Sequence, residues 1–325
     1  MKIATLSHSH VALRQQLFFK EIAKQGHEVL MVAPGQWHNL RIQDEDLQFP
    51  MGGFQLRGCR HIGGDNIYNF QLLGAKDLIM KFAPDWLIVQ QEPESILAQE
   101  SVGWAKELGC KFALFTWQNI RFQGGYEVLR NSDLVVCGNP EAERLVKPWN
   151  VDTLLLLQVG VDTDHFQARP GVERNVEVGY IGRPNEEKGI RCLIQAWPTA
   201  RILEWKDFKE LPWWYSQVRV IVAYSQDTSE WKEQAPNYVT LEALSCGCDV
   251  VTSDTEAMKY WNETCPVGYR AELNPLLETK EEVLRKAIQK ALSQDVGNKG
   301  RQWVIDNFSN HVVAKKLLET LKGSC

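Results

Sequence analysis

The sequence predicts an α/β protein of two domains, each built on a mainly parallel sheet, and three observations predict it. The chain has 325 residues, about twice the roughly 150-residue domain prior. Short β-branched runs alternate with segments of helical period along most of its length, the pattern of βα units. After the run Thr153–Leu157 the composition turns polar, with Gly, Pro and Asp from Gly160 to Gly171, before strand and helix signals restart at Val176. That stretch reads as an interdomain linker.

The elements follow in order. Lys2–Leu6 is a strand, and Val11, Leu13, Leu17, Phe18 and Ile22 then recur at helical spacing until Gly26 stops the helix. His27–Ala33 is the next strand. Residues 35–70 carry Gly, Asn and Asp without periodicity and are expected to form irregular functional loops. A helix over about 71–82 ends before Pro84; Trp86–Val89 is a buried strand, Ser95–Leu108 a helix and Lys111–Thr116 a strand. Asp133–Cys137, a helix from Pro140 and the strand Thr153–Leu157 complete the first half. In the second half Val176–Ile181 is a strand, a helix begins around Glu187, and strands near 201–205, 218–223 and 249–252 precede about 45 helical residues.

Composition excludes several classes. Hydrophobic residues make up 44% and charged residues 24%, ordinary globular usage. The formal charge is −5, with −4 on residues 1–166 (15 basic, 19 acidic) and −1 on the rest, so neither half offers a nucleic-acid surface. The longest apolar runs fall far short of the roughly 20 residues that span a bilayer. No signal segment is legible at the start, so a cytoplasmic protein is expected. The eight cysteines are scattered through apolar runs, as reduced core thiols are, and Cys246-Gly247-Cys248 has no second Cys/His pair to make a zinc site. Neither Gly-x-Gly-x-x-Gly nor a phosphate loop ending in Gly-Lys-Ser/Thr occurs, which argues against a Rossmann dehydrogenase and a kinase.

Chemistry gathers at two places in the second half. Strand Val176–Ile181 runs into Gly182-Arg-Pro-Asn-Glu-Glu-Lys-Gly189, where glycine permits close approach of a ligand to backbone and Arg183 and Lys188 add two cations, as a diphosphate site requires. Further on, Glu233-Gln-Ala-Pro-Asn237 precedes Tyr-Val-Thr-Leu-Glu242, with Glu242 at the start of an apolar helix where a carboxylate can accept hydrogen bonds from a sugar diol.

These motifs resemble the retaining glycosyltransferases of family 4. Gly182-Arg183 with Glu187-Lys188-Gly189 is similar to the family's donor-diphosphate motif, Glu233…Glu242-Ala243 to its paired glutamates, and Gly160-Val161-Asp162…Phe166 to its interdomain signature. Gly26-His27-Glu28-Val29, Pro84-Asp85-Trp86, the Glu92-Pro93-Glu94 turn and Arg301…Asn307-Phe308-Ser309 extend the likeness over nearly the whole chain, toward members from bacterial surface polysaccharide assembly. The resemblance implies the GT-B architecture: two Rossmann-like βαβ domains facing a central cleft. Residues 1–165 would form the acceptor-side domain, 166–308 the nucleotide-sugar donor domain, and 309–325 a C-terminal helix packing back toward the first. Only 53 residues separate Lys188 from Glu242, so the second domain is expected to be shortened by at least one βα unit.

What the resemblance implies of function is transfer of a hexose from a nucleoside-diphosphate sugar, UDP-hexose by family frequency, to a saccharide or lipid-linked saccharide. The anomeric configuration would be retained, with no cofactor and no metal. Arg183 and Lys188 would stabilise the leaving diphosphate and Glu233 would face the transferred sugar. Gly182, Gln234, Ala235, Pro236, Asn237 and Glu242 would bind the donor, with Trp205 and Lys206 near the base. Ser9 and His10, from the cluster Ser7-His-Ser-His10 at the carboxyl end of the first strand, and Gln118 with Asn119 would lie on the acceptor side. A lipid-linked acceptor implies peripheral membrane contact; the expected assembly is a monomer or weak dimer.

Two departures stand out. The family keeps seven residues between its glutamates, whereas eight separate Glu233 from Glu242, so either Glu233 or Gln234 fills the first role. Gln118 stands where many relatives carry a histidine, and an amide positions a hydroxyl but is no base at neutral pH. These departures leave a second reading, a catalytically degenerate sugar-nucleotide-binding or scaffold protein of the same fold.

Overall fold

In a computed structural model the chain is described at residues 1–38, 40–42, 53–204, 207–228, 232–233, 237–255, 257–258, 261, 263, 265, 268–271, 279–294 and 297–323. It divides into two compact units, Met1–Gly160 with Val313–Cys325, and Val161–Val312. The last helix, Asn310–Gly323, therefore belongs to the first unit from Val313 onward.

The first unit holds a seven-stranded sheet in the order Thr153–Leu155, Leu134–Cys137, Lys111–Thr116, Trp86–Gln90, Lys2–Leu6, Glu28–Pro34 and Phe54–Cys59. The second holds five strands, Arg201–Leu203, Val176–Ile181, Val218–Ala223, Asp249–Ser253 and Gly268–Ala271. Every pairing in both sheets is parallel. Parallel strands need crossover helices, which cover both faces and make central strands apolar throughout. Accordingly all five residues of Trp86–Gln90 and of Asp249–Ser253 are buried.

Helix starts are fixed locally by side chains. Ser95 accepts from Ala98 N (3.2 Å), Asn139 from Ala142 N (2.8 Å) and Asn237 from Thr240 N (2.9 Å), while Thr279 and Glu282 form a capping box. Ser95 is thus a cap and the helix proper is Ile96–Leu108. The seven described cysteines are free thiols.

Three expectations are corrected. Residues 35–70 are not wholly irregular, because Phe54–Cys59 forms the sheet edge, its half-polar alternation (Gln55, Arg57) suiting a strand with one paired side. Residues 71–74 are not helical: Gln71–Leu72 pairs with His61–Ile62, and Gly74 in the left-handed region precedes the helix Ala75–Phe82. The strand Gly268–Ala271 lay within no expected element. The division between the two units falls at Gly160–Val161, within the stretch read as a linker, and that stretch carries packed residues. Val161 bridges Ser309 (Val161 N to Phe308 O, 2.8 Å), His165 stacks on Phe208 at 4.5 Å, and Phe166 is 1% exposed.

Arg301 pins that stretch. Its guanidinium donates to Phe166 O (2.8 Å), Ser245 O (2.8 Å) and Thr163 O (3.1 Å), joining the helices Tyr238–Ser245 and Gly297–Phe308 to the segment before Phe166. Removing that donor group takes a hydrogen bond from all three carbonyls, of which Phe166 O alone keeps the Ser245 hydroxyl as a second donor among these contacts. Arg301→Ala is expected to lower unfolding free energy by about 3 kcal/mol, read as a lower urea midpoint at unchanged slope.

Candidate functional site

In the second unit the chain leaves strand Val176–Ile181 through Gly182, whose φ of 134° only glycine adopts readily. The Tyr180 hydroxyl donates to Arg183 O (2.7 Å) and fixes the turn. Glu186–Lys188 makes one 3-10 turn, closed by Gly189 at φ 68°. A Cβ at Gly189 would collide with the Tyr224 carbonyl oxygen, so the residue must be glycine for backbone and packing reasons together. The helix starts at Ile190, not near Glu187 as the sequence suggests: the left-handed glycine separates the two turns.

This turn directs Lys188 onto Glu233, Nζ to Oε2 2.8 Å. Glu233 is 4% exposed. The Ser225 hydroxyl donates to the same carboxylate oxygen, and Asp227 Oδ1 accepts from Glu233 N (2.9 Å). A buried carboxylate is tolerable when paired and hydrogen-bonded in this way. Burial, then the Glu233 charge, pushes the Tyr180 phenol up to about 12 against the opposing pull of Arg183, so all three groups share one neighbourhood. Arg183 itself is exposed.

Glu242 occupies the second turn of Tyr238–Ser245 rather than its N-terminus. It is 1% exposed and accepts from the Tyr215 hydroxyl at 3.2 Å. Asn237 uses its side chain to cap that helix, bonding both Thr240 N and the Thr240 hydroxyl. Trp214 and Tyr215 are buried, and Trp213 is exposed. Trp205, Lys206, Gln234, Ala235 and Pro236 lie outside the described residues.

In the first unit, polar groups gather after neighbouring strands at the carboxyl edge. His10 does not serve as a ligand contact: it is fully buried, with Nε2 on Gln90 Oε1 (3.0 Å) and Nδ1 on Val32 O (3.2 Å). Burial drives its pKa down to about 3, so it is a neutral core residue. Ser9 bonds Ser7 Oγ (2.8 Å), which reaches Gln90 O (2.8 Å). His8 lies between the rings of Trp37 (5.1 Å) and Phe70 (6.1 Å), with Nδ1 2.7 Å from Gln91 Nε2. Burial lowers its pKa to about 4. With the Gln91 amide nitrogen donating to Nδ1, the ring proton sits on Nε2.

Gln118 is partly buried, with Nε2 3.2 Å from Glu94 Oε1, and Asn119 is 7% exposed. Glu94 Oε1 also accepts from Gln123 N (2.7 Å). The Thr116 hydroxyl donates to Glu92 Oε2. Burial, reinforced by the Glu94 charge, pushes Glu92 up to about 7 against that bond. His38 and His61 converge on Asp65, at 3.2 and 2.9 Å. The sequence pointed neither to that pairing nor to the contacts of Glu92 and Glu94. The available signal for the carboxylates was two of them flanking a proline directly after a buried strand. Among the described residues no group of three His, Cys, Asp or Glu side chains could hold a metal ion, and no helix is long and apolar enough to cross a membrane.

Two Rossmann-like units with parallel sheets of seven and five strands define the fold of GT-B glycosyltransferases. A glycosyltransferase from Rickettsia africae is similar to this chain at 17% identity and a TM-score of 0.72, over 99% of this chain and 98% of that one. Anabaena HepE in complex with UDP is similar at 14% identity and TM-score 0.68, over 99% and 100%, and structures of the same protein hold UDP-glucose. The lipopolysaccharide outer core galactosyltransferase WaaB matches at 11% identity and TM-score 0.65, over all of both chains. No family model and no curated protein sequence matches.

Glu92 sets a pH dependence of known sign. A carboxyl raised in the folded state destabilises folding as pH climbs from its ordinary 4.5 through about 7. Glu92→Gln removes that titration, so the variant's stability relative to wild type is expected to improve by on the order of 2 kcal/mol between pH 5 and pH 8; paired denaturant titrations at the two pH values measure it.

Proposed function

We propose that the chain is a retaining glycosyltransferase that moves a hexose from a nucleoside-diphosphate sugar, UDP-hexose in first place, to a saccharide or lipid-linked saccharide. The observation that carries the reading is the Lys188 ammonium at the carboxyl edge of the second sheet, oriented by Gly189 and the buried Glu233 after the glycine turn at Gly182. Ligands bind outside the carboxyl ends of strands in open parallel sheets. The UDP and UDP-glucose held by HepE support the donor class.

On this reading the diphosphate lies along Gly182–Lys188, where Lys188 and Arg183 offset the charge that grows on the leaving oxygen. The bond from the anomeric carbon to the phosphate oxygen breaks as the bond to the acceptor oxygen forms on the same face. The acceptor proton passes to the departing phosphate, so no side-chain base is needed, which suits Gln118 in place of a histidine. Glu233 holds Lys188 in place and faces the transferred sugar, and Glu242, braced by Tyr215, takes the ribose hydroxyls.

Lys188→Ala is expected to lower kcat with UDP-glucose by about 10²- to 10³-fold, the effect of losing one preorganised charge donor. UDP at about 100 times its dissociation constant should stabilise the wild type by about 2.7 kcal/mol and the variant by much less. A transfer rate within a few-fold of wild type would refute the assignment. Stabilisation by UDP without any turnover would favour the degenerate binding protein.

A further inference from the structure

The acceptor side of the first unit has a chemical polarity of its own. Glu94 Oε1 is held by two donors, Gln118 Nε2 and Gln123 N, so the carboxylate and the amide are locked against each other. Their other oxygens, Glu94 Oε2 and Gln118 Oε1, are both enclosed and have no protein partner among the described residues. The loop carrying Gln123 packs closely on the same turn, because Gly125 adopts a left-handed φ of 69° and a Cβ there would strike the Pro93 carbonyl. Glu92 lies in the same turn, bonded to Thr116, and no Lys or Arg pairs with either carboxylate among the described residues. Burial and the charges of Glu92 and Glu94 together raise the Tyr68 phenol, which places that ring close by.

Two enclosed acceptors with no donor call for a ligand that brings hydrogens. Sugar hydroxyls and an ammonium group do so. A carboxylate or phosphate brings none and meets like charge in a poorly hydrated place. Resting on the reading of the chain as a glycosyltransferase, we infer that the acceptor is a neutral or amino-bearing saccharide whose hydroxyl or ammonium hydrogens are taken by Glu94 Oε2 and Gln118 Oε1. The same pair turns away saccharides that carry an anionic group at that position.

The test uses the full chain with UDP present and compares sugars that share a ring but differ in charge: glucose, galactose and mannose, their 2-amino forms and their uronates, each titrated by saturation-transfer NMR. Neutral or amino forms of at least one ring are expected to bind about tenfold or more tightly than the uronate. Glu94→Gln replaces a buried charge by an amide and should move the amino-to-uronate preference toward the uronate by about tenfold, a ratio that a general loss of structure would not shift. Equal binding of uronates and neutral sugars, binding of no neutral or amino sugar, or an unchanged ratio in Glu94→Gln overturns the inference. UDP binding, read in the same samples from the nucleotide signals, reports separately on the donor reading, so failure of one is distinguishable from failure of the other.

Discussion

Everything in both units depends on parallel strand pairing. A parallel ladder cannot be closed by a tight turn, so the chain must cross back to the opposite end before adding the next strand, as the helices Leu13–Lys24, Ile96–Leu108 and Ile190–Ala196 do between theirs. The loops at the carboxyl edge are therefore free of the job of joining neighbouring strands by the shortest path, and the chemistry collects there. Lys2–Leu6 leads to the Ser7–His10 cluster, Trp86–Gln90 to Gln91, Glu92 and Glu94, and Lys111–Thr116 to Gln118. In the second unit, Val176–Ile181 leads to the Gly182–Lys188 turn and Val218–Ala223 to Ser225 and Asp227, which meet Glu233.

The two edges carry different electrostatics. In the second unit a cation is held in readiness: Lys188 pairs with a carboxylate that is itself satisfied by Ser225, so Glu233 fixes the position of the ammonium while the exposed Arg183 stands nearby. Under the proposed function, an arriving phosphate would compete with Glu233 for Lys188, and that competition would set how tightly the donor binds before the leaving group develops its full charge. In the first unit burial suppresses charge instead. His8 and His10 are held neutral and Glu92 is driven toward neutrality.

How much of this the sequence shows depends on whether the determinant is local. Lys2–Leu6, Lys111–Thr116, Val176–Ile181 and Val218–Ala223 are legible residue for residue, because each is a mainly apolar run whose charged residue (Lys2, Lys111, Glu177, Arg219) lies in its first two positions. Phe54–Cys59 is not, since an edge strand with Arg57 and Gly58 in it looks like a loop. The motif Gly182…Gly189 is visible as a spacing, yet the close packing of Gly189 against the Tyr224 carbonyl, which excludes any Cβ there, involves another part of the chain. Likewise the sequence offers His8 and His10 as equivalents. The 3-10 turn His8–Val11 decides that one faces the aromatic pair Trp37 and Phe70 and the other the core. The raised Glu92 carboxyl is a product of burial, to which no spacing rule points.

The central claim is sugar transfer with retained configuration at the expense of a nucleoside diphosphate. It is tested most directly by following UDP-glucose labelled with carbon-13 in the sugar, with the full chain and a neutral saccharide, by NMR over time. The account predicts that the donor anomeric signal is replaced by a new α-anomeric signal in step with equimolar release of UDP. A β-anomeric product, or UDP-glucose that binds and persists unchanged with every saccharide the protein binds, would contradict it.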